Sequence, residues 1–166
     1  MIKMIKKFED MIENYHDRTA VKRHRKYLNT LMKTEVRVKF KHAQVLDIEL
    51  PYTNLSKADL YGANLTGANL KGSDLGHITL RSADLCSVNF ELANLAQADL
   101  RYADLRSADL RNTNLSHASL YGADLRYADL RGANLSYANL DDVKLEGANL
   151  EGADLTGVDL VAAYII

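Results

Sequence analysis

At 166 residues the chain has room for one repeat rod and a short additional segment, not for two large globular domains. Its single cysteine, Cys86, excludes an intramolecular disulfide framework and fits a reducing compartment, and no apolar run approaches the ~20 residues that would cross a membrane. The net charge of -1 is unevenly spread: residues 1–35 carry nine Lys and Arg against five Asp and Glu (+4), and residues 36–166 carry 12 against 17 (-5).

The N-terminal segment has helix spacing. Ile2, Ile5, Phe8, Ile12 and Tyr15 recur at three to four residues, and Val21, Tyr27, Leu28, Leu31 and Met32 form a second stripe that Thr19 is placed to cap. The spacing predicts two helices, or one bent helix, before the chain becomes extended near Val36. Charges at Lys3, Lys6, Lys7, Glu9 and Asp10 break any apolar leader, so a secretory signal is not expected and the expected location is cytoplasmic. The run Lys22-Arg23-His24-Arg25-Lys26 could attract phosphates by releasing counterions. It is five residues long and has no base-reading motif beside it, so nucleic-acid binding there is the weaker reading and a solvated helix face the stronger.

From Leu50 onward a period of five takes over. Of the 23 positions 50, 55, 60 and so on to 160, all are Leu except Phe90. Two residues before each centre, from 58 to 163, Ala fills 16 of 22 sites, and one residue before, from 54 to 159, Asp or Asn fills 19 of 22. The unit is Ala-(Asp/Asn)-Leu-x-x, as in Ala98-Asp99-Leu100-Arg101-Tyr102. A helix cannot use it, because Ala and Leu two apart would lie about 200° apart around the axis. A short extended wall can: Ala and Leu face in, Asp or Asn faces out, and the remaining residues turn a corner. Repeating wall and corner winds a solenoid whose apolar faces bury one another. The period alone does not count the walls per turn.

These residues resemble the pentapeptide-repeat family over roughly four-fifths of the chain. The resemblance implies a mainly β fold, a right-handed quadrilateral β-helix with four units per turn. The register also runs through Val38-Lys39-Phe40, Ala43-Gln44-Val45 and Ile48-Glu49-Leu50, and on to Ala163-Tyr164-Ile165. Counted from Phe40 to Ile165 this makes 26 units, hence a rod roughly 31 Å long at about 4.8 Å per turn. Two domains follow: residues 1–35 as an N-terminal helical capping segment, covering an otherwise open solenoid end, and residues 36–166 as the pentapeptide-repeat β-helix.

With four units per turn, outward residues 20 apart stack in columns. Arg81 then lies over Arg101, Arg106 over Arg126, and Arg111 over Arg131, with Tyr102, Tyr121, Tyr127 and Tyr137 among them. Arg and Tyr are common interface anchors, which makes this belt the candidate surface for an unidentified protein partner. The competing reading is self-compensation, since Asp99, Asp104, Asp109, Asp124 and Asp129 each stand two residues before an Arg. His77 and His117 share a column, but two turns, about 9.6 Å, is too far for a shared metal. Cys86 has no base nearby in the register, and the Gly residues at 62, 67, 72, 122, 132, 147, 152 and 157 fall on one corner position rather than in a phosphate loop.

No enzyme, cofactor or metal is therefore expected. The expected role is a non-catalytic interaction or scaffold protein. The alternative comes from the resemblance: some members mimic B-form DNA and bind DNA gyrase, protecting it from quinolones. That role relies on a strongly acidic rod, some members projecting loops from it. This rod carries only -5, has Arg columns at its middle and has no insertion in its repeat. At the C-terminal end Tyr164, Ile165 and Ile166 continue the pattern where an open core would be exposed. The resemblance also points to pairing through such ends, so a homodimer through this end is expected.

Overall fold

The structure, a computed structural model, describes residues 41–44 and 46–160. The expected helical cap, the first domain boundary, the upstream unit centred on Phe40, and the candidate dimer end Tyr164, Ile165 and Ile166 lie outside the described residues.

Parallel bridges join residue i to residue i+20 without interruption, from Gln44 with Asn64 to Asn134 with Asp154. This spacing settles four pentapeptides per turn. The described chain makes six coils: coil 1 (41–60), coil 2 (61–80), coil 3 (81–100), coil 4 (101–120), coil 5 (121–140) and coil 6 (141–160). Up to Asp154 every wall is so short that it contributes a single bridge residue, the Asp/Asn position. No longer strand is formed among the described residues.

The repeat accounts for each of its own amides, as buried or confined backbone must. In the unit from 101 to 105, the Leu105 N–H donates to Asp124 O in the next coil, and the Asp104 N–H donates to Ala83 O in the previous one. The Tyr102 N–H donates to Tyr121 O at the matching corner of the next coil, and the Ala103 N–H closes its own corner onto Leu100 O. The fifth, the Arg101 N–H, donates to a side chain, Asp99 Oδ1, at 3.3 Å. Asp and Asn recur before each centre because their side-chain oxygen satisfies the corner amide two residues on, an Asx-type turn. Sequence reasoning placed these residues outward but did not find this task.

Each corner is a four-residue turn whose second central residue has positive φ. All 24 such positions from 42 to 157 are left-handed, and only eight are Gly; Tyr102 (φ 59) and Tyr127 (φ 62) are two of the others. Easing the turn is therefore an incomplete reason for those glycines. A Cβ on Gly122 would lie 2.8 Å from Tyr102 Cδ1, and one on Gly147 or Gly157 would meet Tyr127 or Tyr137 as closely. The tyrosine ring of one coil lies over the glycine of the next. Gly152 follows Gly132 in its column, and there the nearest atom is 4.0 Å away.

The core is a filled axis. Leu80, Leu85, Phe90, Leu95, Leu100, Leu105 and Leu110 are fully buried, and so are the alanines between them. Full burial of each such side chain stabilises by roughly 1.5–3 kcal/mol. Hydroxyls that replace Ala inside are all partnered: Ser73 Oγ donates to Leu50 O at 2.9 Å, and Thr113 Oγ1 donates to Phe90 O at 2.8 Å.

Candidate interaction surface

The Arg residues of the belt are held by their own repeats. Arg101 donates Nε to Asp99 Oδ1 at 2.7 Å and Nη2 to Asp99 Oδ2 at 2.6 Å. Arg106 with Asp104, Arg111 with Asp109, Arg126 with Asp124 and Arg131 with Asp129 repeat this two-point grip. The same Oδ1 also accepts the arginine's backbone N–H, so one carboxylate fixes both the corner and the side chain above it. Bidentate charge-assisted bonds orient a guanidinium better than a single contact would. The compensation expected from the Asp-x-Arg spacing is present at all five sites.

The four edges of the rod are numbered from the corner at 41–42, so that the third runs through the corners at 51–52, 71–72, 91–92, 111–112, 131–132 and 151–152. On the third edge the pairs join into a network. Glu91 binds Lys71 of the coil before it and Arg111 of the coil after it, the latter at 3.5 Å, and Arg111 reaches Asp129 at 3.8 Å. An open, shallow cleft of about 260 Å³ lies there between Arg111, Asn112, Arg131 and Gly132. Arg81 differs from the other arginines, because Thr79 stands where they have Asp. Its guanidinium lies over the Tyr102 ring, 5.6 Å from the centroid, and Tyr102 meets Tyr121 edge-on at 5.4 Å.

The nine candidate residues do not form one face. Arg101, Tyr102 and Tyr121 share the first edge, Arg106, Arg126 and Tyr127 the second, Arg111 and Arg131 the third, and Tyr137 the fourth. The belt wraps coils 4 and 5. The first two edges flank a single wall, that of Asp104 and Asp124, so six of the nine can meet one flat partner. Tyr102, Tyr127 and Tyr137 are 51%, 61% and 59% exposed, which makes them the most available apolar surface of the group.

The hydrogen bonds from Arg101, Arg106, Arg111, Arg126 and Arg131 hold the carboxyls of Asp99, Asp104, Asp109, Asp124 and Asp129 below the usual carboxylate range, against a smaller opposing effect of burial. A depressed folded-state pKa stabilises the fold above the unfolded value, and that contribution is lost as pH falls through the folded one. The melting temperature should therefore hold steady from neutrality down to about pH 4 and fall below it. Asp104→Asn should make the acid-side decline shallower. An equally steep decline in that variant would mean the pairs contribute nothing, as many exposed pairs do.

His117 stacks on Tyr137 at 5.2 Å, and no group of three or more His, Cys, Asp or Glu is gathered to hold a metal among the described residues. Cys86 is half-exposed, with Ser87 Oγ 3.8 Å from its sulfur. No helix among the described residues is long and apolar enough to cross a membrane.

A four-walled coil with Leu on its axis and Asp or Asn at most of its bridges defines a class of protein, the pentapeptide-repeat solenoid. The pentapeptide-repeats family model matches in eight copies, with matches at 47–76, 63–101, 80–116, 89–126, 98–136 and 123–160. The chain belongs to the pentapeptide-repeat family, and membership implies a right-handed coil. Among solved structures it is similar to Rfr23 of the cyanobacterium Cyanothece 51142, at 30% identity over 83% of this chain and 98% of that one, with a TM-score of 0.48. It is also similar to HetL of Nostoc sp. strain PCC 7120, a protein involved in heterocyst differentiation regulation (28% identity, 77% and 87% covered, TM-score 0.27). A third is QnrB1, a plasmid-mediated fluoroquinolone resistance protein, in a trypsin-treated form (20% identity, 76% and 69% covered, TM-score 0.41). No curated protein matches the chain.

Proposed function

We propose that this protein is a non-catalytic interaction scaffold, a rigid rod that presents fixed Arg forks and Tyr rings to a protein partner in the cytoplasm. The observation that carries the reading is the two-point grip of Asp on Arg, repeated at five corners. Arginines already ordered lose little entropy when a partner's acceptor binds the rest of the fork. The partner surface of the proposal is the wall of Asp104 and Asp124 with its two edges. Its test is affinity capture from the native cell followed by mass spectrometry, repeated with Arg106→Glu combined with Arg126→Glu. The double variant should lose the partner while keeping the wild-type circular-dichroism spectrum. Undiminished capture would overturn the assignment.

Charge favours scaffolding over DNA mimicry. Residues 36–140 carry 11 Lys and Arg against 11 Asp and Glu, so the -5 of the repeat region all falls within coil 6, which holds six acidic residues and Lys144. A mimic needs a continuous acidic stripe, and five of these carboxylates are spent on arginines. Protection of gyrase supercoiling from a quinolone at micromolar protein would reverse this preference.

A homodimer through the C-terminal end belongs to the same proposal. Ala148, Leu150, Ala153, Leu155, Val158 and Leu160 are only partly buried where their counterparts in coils 2–5 are closed off, and apolar ends of this kind favour association. Light scattering should give about twice the chain mass, and Ile165→Lys should halve it.

A further inference from the structure

Coils 2–5 carry seven Lys and Arg, and six of them pair with a carboxylate at 2.7 Å or less. The seventh is Arg81. Each gripped arginine has Asp two residues before it, and Arg81 has Thr79 there. We infer that Arg81 is the recognition residue of the rod, an open guanidinium that binds a single carboxylate of a protein partner. This rests on the scaffold reading above and extends its surface into coil 3, since Arg81 stands one coil before Arg101 on the first edge.

The carboxylate nearest to Arg81 in the register, Asp99 of the same coil, is already committed. Its two oxygens accept Nε and Nη2 of Arg101, and Oδ1 also accepts the Arg101 N–H. Arg81 acts on it only as a charge beyond ion-pair distance. The guanidinium of Arg81 is held instead by the Tyr102 ring, 5.6 Å from the centroid. A ring attracts and orders a cation, but it supplies no anion to the fork of N–H donors that matches a carboxylate. Arg81 and Arg101 against Asp99 leave a net +1 at this place, whereas each other arginine of the belt cancels with its own Asp. That balance fits a monoanion. A phosphate, at about -1.5 to -2 near neutral pH, would exceed it beside Asp99. Tyr61 and Tyr102, 36% and 51% exposed, flank Arg81 in the coils on either side and give it the aromatic surround of a protein contact.

The decisive variant is Thr79→Asp, which gives Arg81 the grip that the other five arginines have. Asp stacked on Asp in neighbouring coils is already accommodated at 104 and 124 and at 109 and 129, so the variant should fold, as circular dichroism checks. The probe is an end-blocked Gly-Glu-Gly peptide, with Gly-Gln-Gly as its neutral counterpart. Its binding to the full chain is followed by nitrogen-15 NMR at the arginine Nε–H signals and the Tyr102 amide, which separates this contact from any at the basic run 22–26. In the wild type the Arg81 signal should shift saturably, the five gripped arginines should shift far less, and the neutral peptide should shift neither. Thr79→Asp and Arg81→Gln should each weaken binding about tenfold or more, the loss of one charge-assisted contact. Wild-type affinity in Thr79→Asp, equal shifts at all six arginines, or tighter binding of inorganic phosphate would overturn the assignment. Capture from the cell separates the two readings. Loss of the partner with Arg106→Glu and Arg126→Glu but not with Thr79→Asp overturns the role of Arg81 and leaves the scaffold. Loss with Thr79→Asp but not with the double variant upholds Arg81 and overturns the wall of Asp104 and Asp124.

Discussion

Leu100→Asp should leave the chain without a cooperative thermal transition. Leu100 is fully buried on the axis, with Leu80 and Leu120 in the same column of the coils on either side. The amides of its repeat unit are already bonded within the solenoid, so a carboxylate there finds neither water nor a free donor. An unpaired buried charge costs at least several kcal/mol, comparable to the whole 5–15 kcal/mol stability of a typical domain. A solenoid is stabilised by contacts between neighbouring coils, so a break in coil 3 also removes support from coils 2 and 4. Leu100→Ala is the graded companion, expected to cost about 2–5 kcal/mol by leaving a cavity. A cooperative melt of Leu100→Asp near the wild-type temperature would mean that this column is not the core.

Ala118→Leu should lower stability by about 1–3 kcal/mol through overpacking. Ala118 is 1% exposed and lies between Ala98 and Ala138 in its column. The same column shows what is tolerated, because Ile78 sits between Ala58 and Ala98 and is also buried. Val88 sits likewise between Ala68 and Ala108. One β-branched residue fits when the coils above and below carry Ala. Ala118→Val should therefore be mild and Ala118→Leu, with its branch one carbon further out, clearly worse. The combination of Ala98→Ile with Ala118→Ile should cost more than the sum of the single changes, since the two side chains share one space. A wild-type melting temperature for Ala118→Leu would place that side chain outside the wall.

Much of the architecture was legible because period five admits few physical solutions. Ala and Leu two apart are incompatible with one face of a helix and compatible with an extended wall, and each unit then needs a corner. The Asp-x-Arg spacing likewise offered the five ion pairs as one reading, since side chains at Asp99 and Arg101 leave the same side of the chain. The glycines were read less completely. Their corner position was visible, but every corner is left-handed whether or not it holds glycine, so conformation alone does not select Gly122. The Tyr102 ring above it does. That signal was present as a spacing of 20 between a large residue and a glycine, and it had meaning only once the coil closed after four units.

The sequence by itself determined the inward and outward faces of every unit from Leu50 to Leu160, because side-chain alternation and burial are local consequences of a two-residue wall. Only the tertiary structure decided which units are neighbours. A pentapeptide carries no information about how many corners close a turn; the parallel bridges from i to i+20 do, since backbone amides on one coil must find carbonyls on the next. That closure sorts nine candidate surface residues onto four edges, lays tyrosines over glycines, leaves Arg81 on an aromatic ring instead of a carboxylate, and gathers the net negative charge of the repeat region into its last described coil.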